Sequence, residues 1–459
     1  MKKYLSIYLI VLIVTSCVPG SEQIDRNKEL DDFLDNIEQE NKNDGPIIYS
    51  ASWISSNFIT HDSQKVIADY GTRYTLKSLE RSREASFFDD VSTSAEKRRM
   101  LNILKSSFVM PPPLNKELAS ELSSITTSLE AMYGSGEHCY EDGTCYDLEA
   151  FESIIDNSRD PEELLRAWQG WHEIGKPMRP MYMRMVDIGN QGSRDLGYEG
   201  LSDLWFSKYD MPADDFLNET DRVWEEVKPL YDALHCHVRA KLNEHYGDDV
   251  VSESGPLPVH LLGNMWGQSW SNIYDLVYTE ESHQNSVNVS KIIEEKRLDE
   301  IDMVKYAEDF FLSIGFEPLP DTFWERSLFV KPRDRSVVCH ASAWNLDPAN
   351  NDLRIKMCIE KNEEDFVTIH HELGHIFYYQ AYNHLPTLFQ GGANDGFHEA
   401  FGDLLTLSIT PDYLTKINFI TEEEALVAKE DSIGLLMKQA LDGVVVVPWA
   451  LMLDKWRSG

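Results

Sequence analysis

The sequence has 459 residues, of which 42% are hydrophobic and 26% are charged, so it can bury a large core and wholesale disorder is excluded. It carries 78 acidic residues against 42 basic ones, a formal net charge of −36. This charge opposes binding to nucleic acid phosphates and to anionic membrane surfaces. We therefore expect a globular protein with no nucleic-acid partner.

Residues 1–17 have the features of an export signal. Lys2 and Lys3 precede an apolar run from Tyr4 to Val14, which is too short for the roughly 20 residues that span a bilayer. The run ends in Val14-Thr15-Ser16-Cys17, which resembles a bacterial lipobox. We predict an exported protein on the periplasmic or extracellular face of a bacterial membrane, anchored only through a lipid on Cys17. Ordinary secretion is the alternative.

The next segment, residues 18–45, is polar and acidic, and we interpret it as a tether that leads into a loosely held first helix. No later segment is apolar for long enough to predict a second membrane segment. Residues 46–459 are then expected to form a single folded domain.

Most of this domain is predicted to be helical, because apolar residues recur at three- and four-residue steps between charged ones. The clearest stretches are Lys116–Tyr133, Pro161–Ile174 and Asp221–His245. Strand signals are few: Ser336–His340 and Leu353–Ile359 are predicted to form a small hairpin. The fold class is therefore mainly α.

Six cysteines fit an oxidising compartment. Their spacing suggests two local disulfides, Cys139 with Cys145 in a predicted surface loop and Cys339 with Cys358, with Cys236 left free. The sequence alone does not fix this connectivity, and reduced, buried thiols are the alternative.

A metal-binding motif lies in the predicted helix Phe366–Tyr379. His371 and His375 are four residues apart, so they project from one helical face and can reach a single zinc ion. Glu372 lies between them, where it can take a proton from a zinc-bound water. A motif of five residues also occurs by chance on helices that bind nothing.

A second predicted helix, beginning near Asn394, supplies the rest of the constellation. Glu399 lies 28 residues beyond His371 and completes a His₂Glu ligand set with a fourth position open for water. Asp403 is placed to accept the second ring N–H of a ligand histidine, with an exposed, unpaired carboxylate as the alternative. His398 is expected to have a core or substrate-facing role rather than to bind metal.

Four stretches of the sequence resemble the angiotensin-converting-enzyme (peptidyl-dipeptidase A) family of zinc metallopeptidases, from about Ser52 to the C-terminus. They are His370-His371-Glu372-Leu373-Gly374-His375, Gly392-Ala393-Asn394-Asp395-Gly396-Phe397-His398-Glu399, Cys339-His340-Ala341-Ser342-Ala343-Trp344 and His260-Leu261-Leu262-Gly263-Asn264-Met265-Trp266. The resemblance implies a helical, two-lobed zincin with a deep central channel. It also implies that one Zn²⁺ supports the release of dipeptides from the C-termini of oligopeptides.

The resemblance also implies substrate contacts. His340 and the backbone of Ala341 would hydrogen-bond the bound peptide, Gln268 would help hold its terminal carboxylate, and Thr368 would line a side-chain pocket. The two suggested disulfides fall where the family has them. Chloride activation is common in the family, but part of the expected anion site lies outside this sequence, so chloride is possible and unsupported.

Members of the family continue for well over a hundred residues beyond the point matched by Gly459. We therefore expect residues 46–459 to be a peptidyl-dipeptidase domain that lacks its C-terminal part, which supplies groups that stabilise the tetrahedral intermediate and grip the terminal carboxylate. A catalytically silent peptide-binding fragment and a zinc carboxypeptidase are the alternatives. The sequence does not specify the natural peptide or the oligomeric state.

Overall fold

A computed structural model describes residues 20–134, 136–278, 287–335, 337, 339–394, 396–430 and 432–458. The predicted export signal and Cys17 lie outside these residues. The helices are α1 Gly20–Asn57, α2 His61–Ser86, α3 Ala95–Ser106, α4 Lys116–Gly134, α5 Leu148–Asn157, α6 Pro161–Gly175, α7 Met178–Asp195, α8 Leu201–Phe206, α9 Ala213–Tyr246, α10 Tyr274–Val277, α11 Val289–Lys296, α12 Glu300–Ser313, α13 Asp321–Arg326, α14 Glu363–Tyr382, α15 Phe397–Thr406, α16 Pro411–Lys416, α17 Glu422–Glu430, α18 Ser432–Gln439 and α19 Val446–Ser458. The strands are β1 Glu137–Cys139, β2 Cys145–Asp147, β3 Ser342–Asp347 and β4 Asp352–Lys356. The predicted mainly α class is confirmed.

The predicted helices form for local reasons that the sequence shows. Asp160 caps α6 by accepting hydrogen bonds from the backbone N–H groups of Glu162 and Glu163, and Pro161 occupies the first helical position. Helix α4 ends within one residue of its prediction. Helix α9 is longer than the predicted Asp221–His245, because it begins at Ala213 and continues through Pro229.

The prediction of an acidic tether over residues 18–45 is wrong for the described part of that segment. Helix α1 begins at Gly20, and Leu30, Leu34 and Ile37 are buried in a core that α1 shares with α2 and α3. The buried Arg81 of α2 donates hydrogen bonds to Glu40 and Asn41 of α1. This part of the segment is therefore a packed helix, and its Glu40 faces α2.

Two antiparallel hairpins make up the sheets of the described residues. Strand β1 pairs with β2 where a surface loop was predicted, and the Cys139–Cys145 disulfide joins the pair. Strand β3 pairs with β4, so the predicted hairpin exists, but its first strand is Ser342–Asp347 and not Ser336–His340. Of that predicted strand, Ser336 and Val338 lie outside the described residues, and the described ones are not in a strand.

Both suggested disulfides are confirmed. Cys339 is bonded to Cys358 across the base of the β3–β4 hairpin, and Cys236 is a free, exposed cysteine on α9. The disulfides fit the oxidising conditions outside the cytoplasm.

The hydrophobic residues gather into two main cores. One surrounds α14 and draws on α12, β4 and α16, with Phe311, Phe366 and Phe377 fully buried. The other joins α5, α6, α9 and the segment around Trp270, with Phe151 and Leu242 fully buried. The candidate site lies on the α14 side.

We expected no later segment to be long and apolar enough to cross a membrane, but one segment is, judged by its length and composition alone. Residues Ile433–Arg457, which run through α18, a π-helical segment (Ala440–Val444) and α19, meet that criterion, and 11% of the most apolar window is buried. Leu441 and Val445 of this stretch are buried in the second core. The Leu441 carbonyl accepts a hydrogen bond from the Trp270 backbone N–H, so this part of the stretch packs against the second core.

Candidate metal centre

The site is built where α14 and α15 approach each other closely. The glycines Gly374 and Gly402 face each other at this contact: a Cβ on Gly374 would lie 3.1 Å from the Gly402 Cα. Asn362 caps α14 by accepting from the Asp365 backbone N–H. Helix α15 begins at Phe397, slightly later than predicted, and presents Glu399 in its first turn.

This contact brings the three predicted zinc ligands together. One ligand atom from each of His371, His375 and Glu399 can be chosen so that all three lie within 4.8 Å of one another. The His371 Nε2 lies 3.3 Å from one oxygen of Glu399, and the His375 Nε2 lies 3.8 Å from the other. Two imidazoles and a carboxylate are thus arranged around a common point.

The Nδ1 atom of His371 lies 3.1 Å from Asp403 Oδ1. A hydrogen bond there fixes the proton on Nδ1 and leaves Nε2 free to bind a metal. The side chains of Glu399 and Asp403 are 69% and 76% exposed, so solvent reaches the carboxylate side of the centre.

Glu372 occupies the buried side of the centre. Burial raises the pKa of its carboxyl to about 7; the negative charge of Glu399 acts in the same direction, and the positive charges of His371 and Lys356 oppose it. A carboxyl group with this pKa can both accept and donate a proton near neutral pH.

Neither of the two other histidines beside the motif belongs to the group of possible metal ligands. His370 is fully buried, with Nε2 2.8 Å from the Tyr413 hydroxyl and Nδ1 2.8 Å from the Phe366 carbonyl oxygen, and burial lowers its pKa to about 4. His398 is partly buried among tyrosines of α14, and burial lowers its pKa to about 4 as well.

The donor set suits zinc. Two imidazole nitrogens and one carboxylate with an open fourth position form the pattern of catalytic zinc sites. In addition, Glu372 Oε2 is buried and finds no hydrogen-bond partner among the described residues. Because buried polar atoms are nearly always hydrogen-bonded, this oxygen indicates a partner such as a metal-bound water.

The predicted substrate residues lie in three separate places. Thr368 is one turn before His371 on α14, and its hydroxyl donates to the Glu364 carbonyl. His340 is exposed and precedes β3, and Ala341 beside it packs against the core around α14. Gln268 lies in the loop before Trp270, on the side of the second core, where its backbone N–H contacts Asn264.

A cavity of about 650 Å³ opens beside β3 and the end of α14. Its wall includes Tyr49 of α1, Trp344 and Asn345 of β3, and Tyr379 and Tyr382 of α14. Among the described residues strand β3 pairs only with β4, and the Ala343 carbonyl on β3 accepts a 3.4 Å hydrogen bond from the Tyr379 hydroxyl.

Sequence reasoning missed Lys356 at the end of β4. Its side chain is buried, with 2% of the residue exposed, and its ammonium donates a 2.8 Å hydrogen bond to the His340 carbonyl. Burial lowers its pKa, and the nearby Glu372 opposes that shift. A lysine at the end of a strand gives no signal of this contact, because His340 lies 16 residues away in the sequence.

Comparison with known proteins agrees with this geometry. The family model described as angiotensin-converting enzyme matches residues 24–459. Angiotensin-converting enzyme of Bos taurus is 38% identical over 413 residues, which are 89% of this chain and 31% of the relative; the Sus scrofa protein is 39% identical with the same coverage. The protein of Haematobia irritans exigua is 34% identical over 93% of this chain and 70% of its own length.

The chain therefore spans about a third of the length of these mammalian relatives. The match nevertheless includes both helices of the metal centre and nearly all of the described residues. On this evidence the chain belongs to the angiotensin-converting enzyme family of peptidases.

Proposed function

We propose that this protein is a zinc-dependent peptidyl-dipeptidase that releases dipeptides from the C-termini of oligopeptides. The observation that carries the proposal is the convergence of His371, His375 and Glu399 within 4.8 Å, beside the buried Glu372. One zinc ion held by these three residues would polarise the scissile carbonyl and acidify a bound water.

Glu372 would act as the general base. Burial raises the pKa of its carboxyl to about 7 in the metal-free chain, which supports a role in accepting a proton from water. The same carboxyl group would then pass that proton to the leaving amine. The helix that carries both histidine ligands also carries Glu372, so this carboxyl group would stay beside the zinc for both transfers.

The peptide would bind along the edge of β3 opposite β4. Extended backbone can pair with an exposed strand edge, and the cavity of about 650 Å³ beside this strand has the size of a small-ligand pocket. His340 and Ala341 stand at the start of this edge, so they would contact the peptide backbone. Gln268 for the terminal carboxylate and Thr368 for a side chain are proposed on the family resemblance.

A catalytically silent peptide binder is the second candidate. The exposure of Glu399 and Asp403 favours it, because water around the ligands weakens the electrostatic stabilisation on which hydrolysis depends.

The protein would act outside the cytoplasm, as its disulfides suggest, and lipidation at Cys17 remains a prediction.

The test is hydrolysis of an N-terminally blocked tripeptide by the full chain loaded with zinc. We expect dipeptide release that stops with a chelator and in Glu372→Gln. Glu364→Gln, at an exposed position in the first turn of the same helix, is the matched control and should retain the rate.

Three other outcomes would contradict the proposal. Release of single C-terminal residues would indicate a carboxypeptidase. No release from a folded, zinc-loaded chain would indicate a silent binder. Full activity of Glu372→Gln would show that another group is the base.

A further inference from the structure

We propose that His398 and Tyr382 form a positioning chain that fixes the metal ligand His375. The inference rests on the proposed zinc site, and it concerns how the second histidine ligand is held. The ring of His371 can donate a hydrogen bond to the carboxylate of Asp403, whereas the ring of His375 contacts an imidazole, that of His398.

The contacts form a continuous path. His398 Nδ1 lies 3.3 Å from His375 Nδ1, and His398 Nε2 lies 2.9 Å from the Tyr382 hydroxyl. A neutral His375 that binds metal through Nε2 carries its proton on Nδ1. That N–H then donates to His398 Nδ1, and the Nε2–H of His398 donates to the Tyr382 oxygen. A single choice of tautomers satisfies both contacts.

The packing around His398 fixes its ring. Ring centroids of Tyr378, Tyr379 and Tyr382 lie 4.5, 5.0 and 5.7 Å from that of His398. These tyrosines follow His375 by three, four and seven residues on α14, so they share its helical face. A ring packed against three other rings loses little entropy when it accepts a hydrogen bond, so it is a rigid partner for His375.

The chemical class of the partner also matters. Glu372, Glu399 and Asp403 already place three carboxyl groups around the centre. A fourth carboxylate behind His375 would add like-charge repulsion, whereas a neutral imidazole orients the ligand without adding charge.

The test is the zinc dissociation constant of the full chain, measured by competition with a chromophoric chelator. We expect His398→Leu to weaken zinc binding about 10–100-fold, as is typical when the partner of a ligand histidine is removed. His398→Asn keeps an acceptor near the position of Nδ1 and should retain most of the affinity. His384→Gln, an exposed histidine just beyond α14, is the matched control and should bind zinc as the wild type does.

Two further readouts separate positioning from a general structural role. Tyr382→Phe should weaken zinc binding several-fold in the wild type. It should have no further effect in His398→Leu, because that variant already lacks the hydrogen bonds that link Tyr382 to His375. The visible spectrum of the Co²⁺-substituted chain should change in His398→Leu and stay unchanged in His384→Gln. Circular dichroism of the metal-free variants establishes that they are folded, and if His398→Leu is unfolded, Tyr382→Phe and His398→Asn carry the test.

Two results would overturn the inference. One is a zinc affinity of folded His398→Leu within twofold of the wild type. The other is an equal loss of zinc affinity in His398→Leu and His398→Asn. Failure of the wild-type chain to bind zinc would overturn the proposed function along with it. Zinc binding that depends on His398 without any peptide hydrolysis would support the inference and contradict only the proposed reaction.

Discussion

Gly402→Ala is predicted to weaken zinc binding, because the added methyl group would displace the ligand His371. Gly402 packs against the imidazole of His371, and a Cβ at this position would lie 2.7 Å from His371 Nδ1 and 2.8 Å from Cε1. An ordinary contact begins at 3.4 Å, so the methyl group is 0.7 Å too close. Either the ring or one of the two helices must move.

The size of the effect follows from this overlap. Functional sites tolerate displacements of about 0.5 Å, and overpacking costs about 1–3 kcal/mol. If that cost falls on the metal-bound form, zinc binding weakens about 5- to 150-fold, since 1.4 kcal/mol is a factor of ten. Alanine is also the better helix former by up to about 1 kcal/mol, but this gain is the same in the metal-free and the metal-bound chain and so does not change the zinc affinity.

The assay is zinc competition on Gly402→Ala beside Gly396→Ala. A Cβ at Gly396, just before α15, meets nothing within 4 Å, so this control should keep wild-type affinity. Wild-type zinc affinity in Gly402→Ala would show that the contact between Gly402 and His371 does not position the ligand, and the described geometry of the centre would be refuted.

Three further outcomes follow. In the metal-free chain, burial raises the pKa of Glu372 to about 7 from an ordinary 4.5, so between these values the folded state holds a proton that the unfolded state has lost. The free energy of unfolding therefore falls as the pH rises through this window. Thermal unfolding at pH 5 and 7.5 should show this loss, and the loss should be smaller in Glu372→Gln. Zinc at a thousand times its dissociation constant should stabilise the chain by about 4 kcal/mol, so an unchanged melting temperature after chelation would count against a zinc site. Replacing Cys339 and Cys358 by serine should lower the free energy of unfolding by about 3 kcal/mol, because a disulfide stabilises more when it closes a longer loop. Replacing Cys139 and Cys145, which close a shorter loop, should lower it by about 2 kcal/mol. Denaturant unfolding measures both, and equal or reversed losses would contradict this dependence on loop length.

The grouping of His371, His375 and Glu399 was predictable because its main signals are local. Two histidines four residues apart on a helix can share one ion wherever that helix lies, and a helix–turn–helix can return Glu399 to them. The disulfides were suggested by spacing for the same reason. The contacts of His398 were not predicted: its polar and aromatic partners are 16 to 23 residues away, and the sequence pattern does not specify their rotamers.

The first helix shows how local composition misleads. Leu30, Leu34 and Ile37 recur at helical spacing, but they are outnumbered by acidic residues, so the segment resembles a solvated tether. Helix α1 packs because α2 and α3 cover that apolar stripe and Arg81 pairs with Glu40. Such long-range partners override the local signal.

The first strand of the hairpin before the metal helix was placed several residues too early for a related reason, whereas the second was predicted to run three residues past its end at Lys356. The run that ends at His340 contains the β-branched pair Val337 and Val338, which favours a strand locally. The ladder instead pairs Ser342 with Lys356 and Ala343 with Ile355, and Ile355 is fully buried. Burial of β4 therefore sets the register.

X-ray absorption at the zinc edge of the purified full chain tests the central claim most directly. We predict one zinc per chain with two imidazole nitrogens at about 2.0–2.1 Å and oxygen ligands at about 2.0–2.2 Å, and loss of that signal in His371→Ala. A chain without stoichiometric zinc, or a spectrum with sulfur at about 2.3 Å, would contradict the assignment of His371, His375 and Glu399 as the ligands.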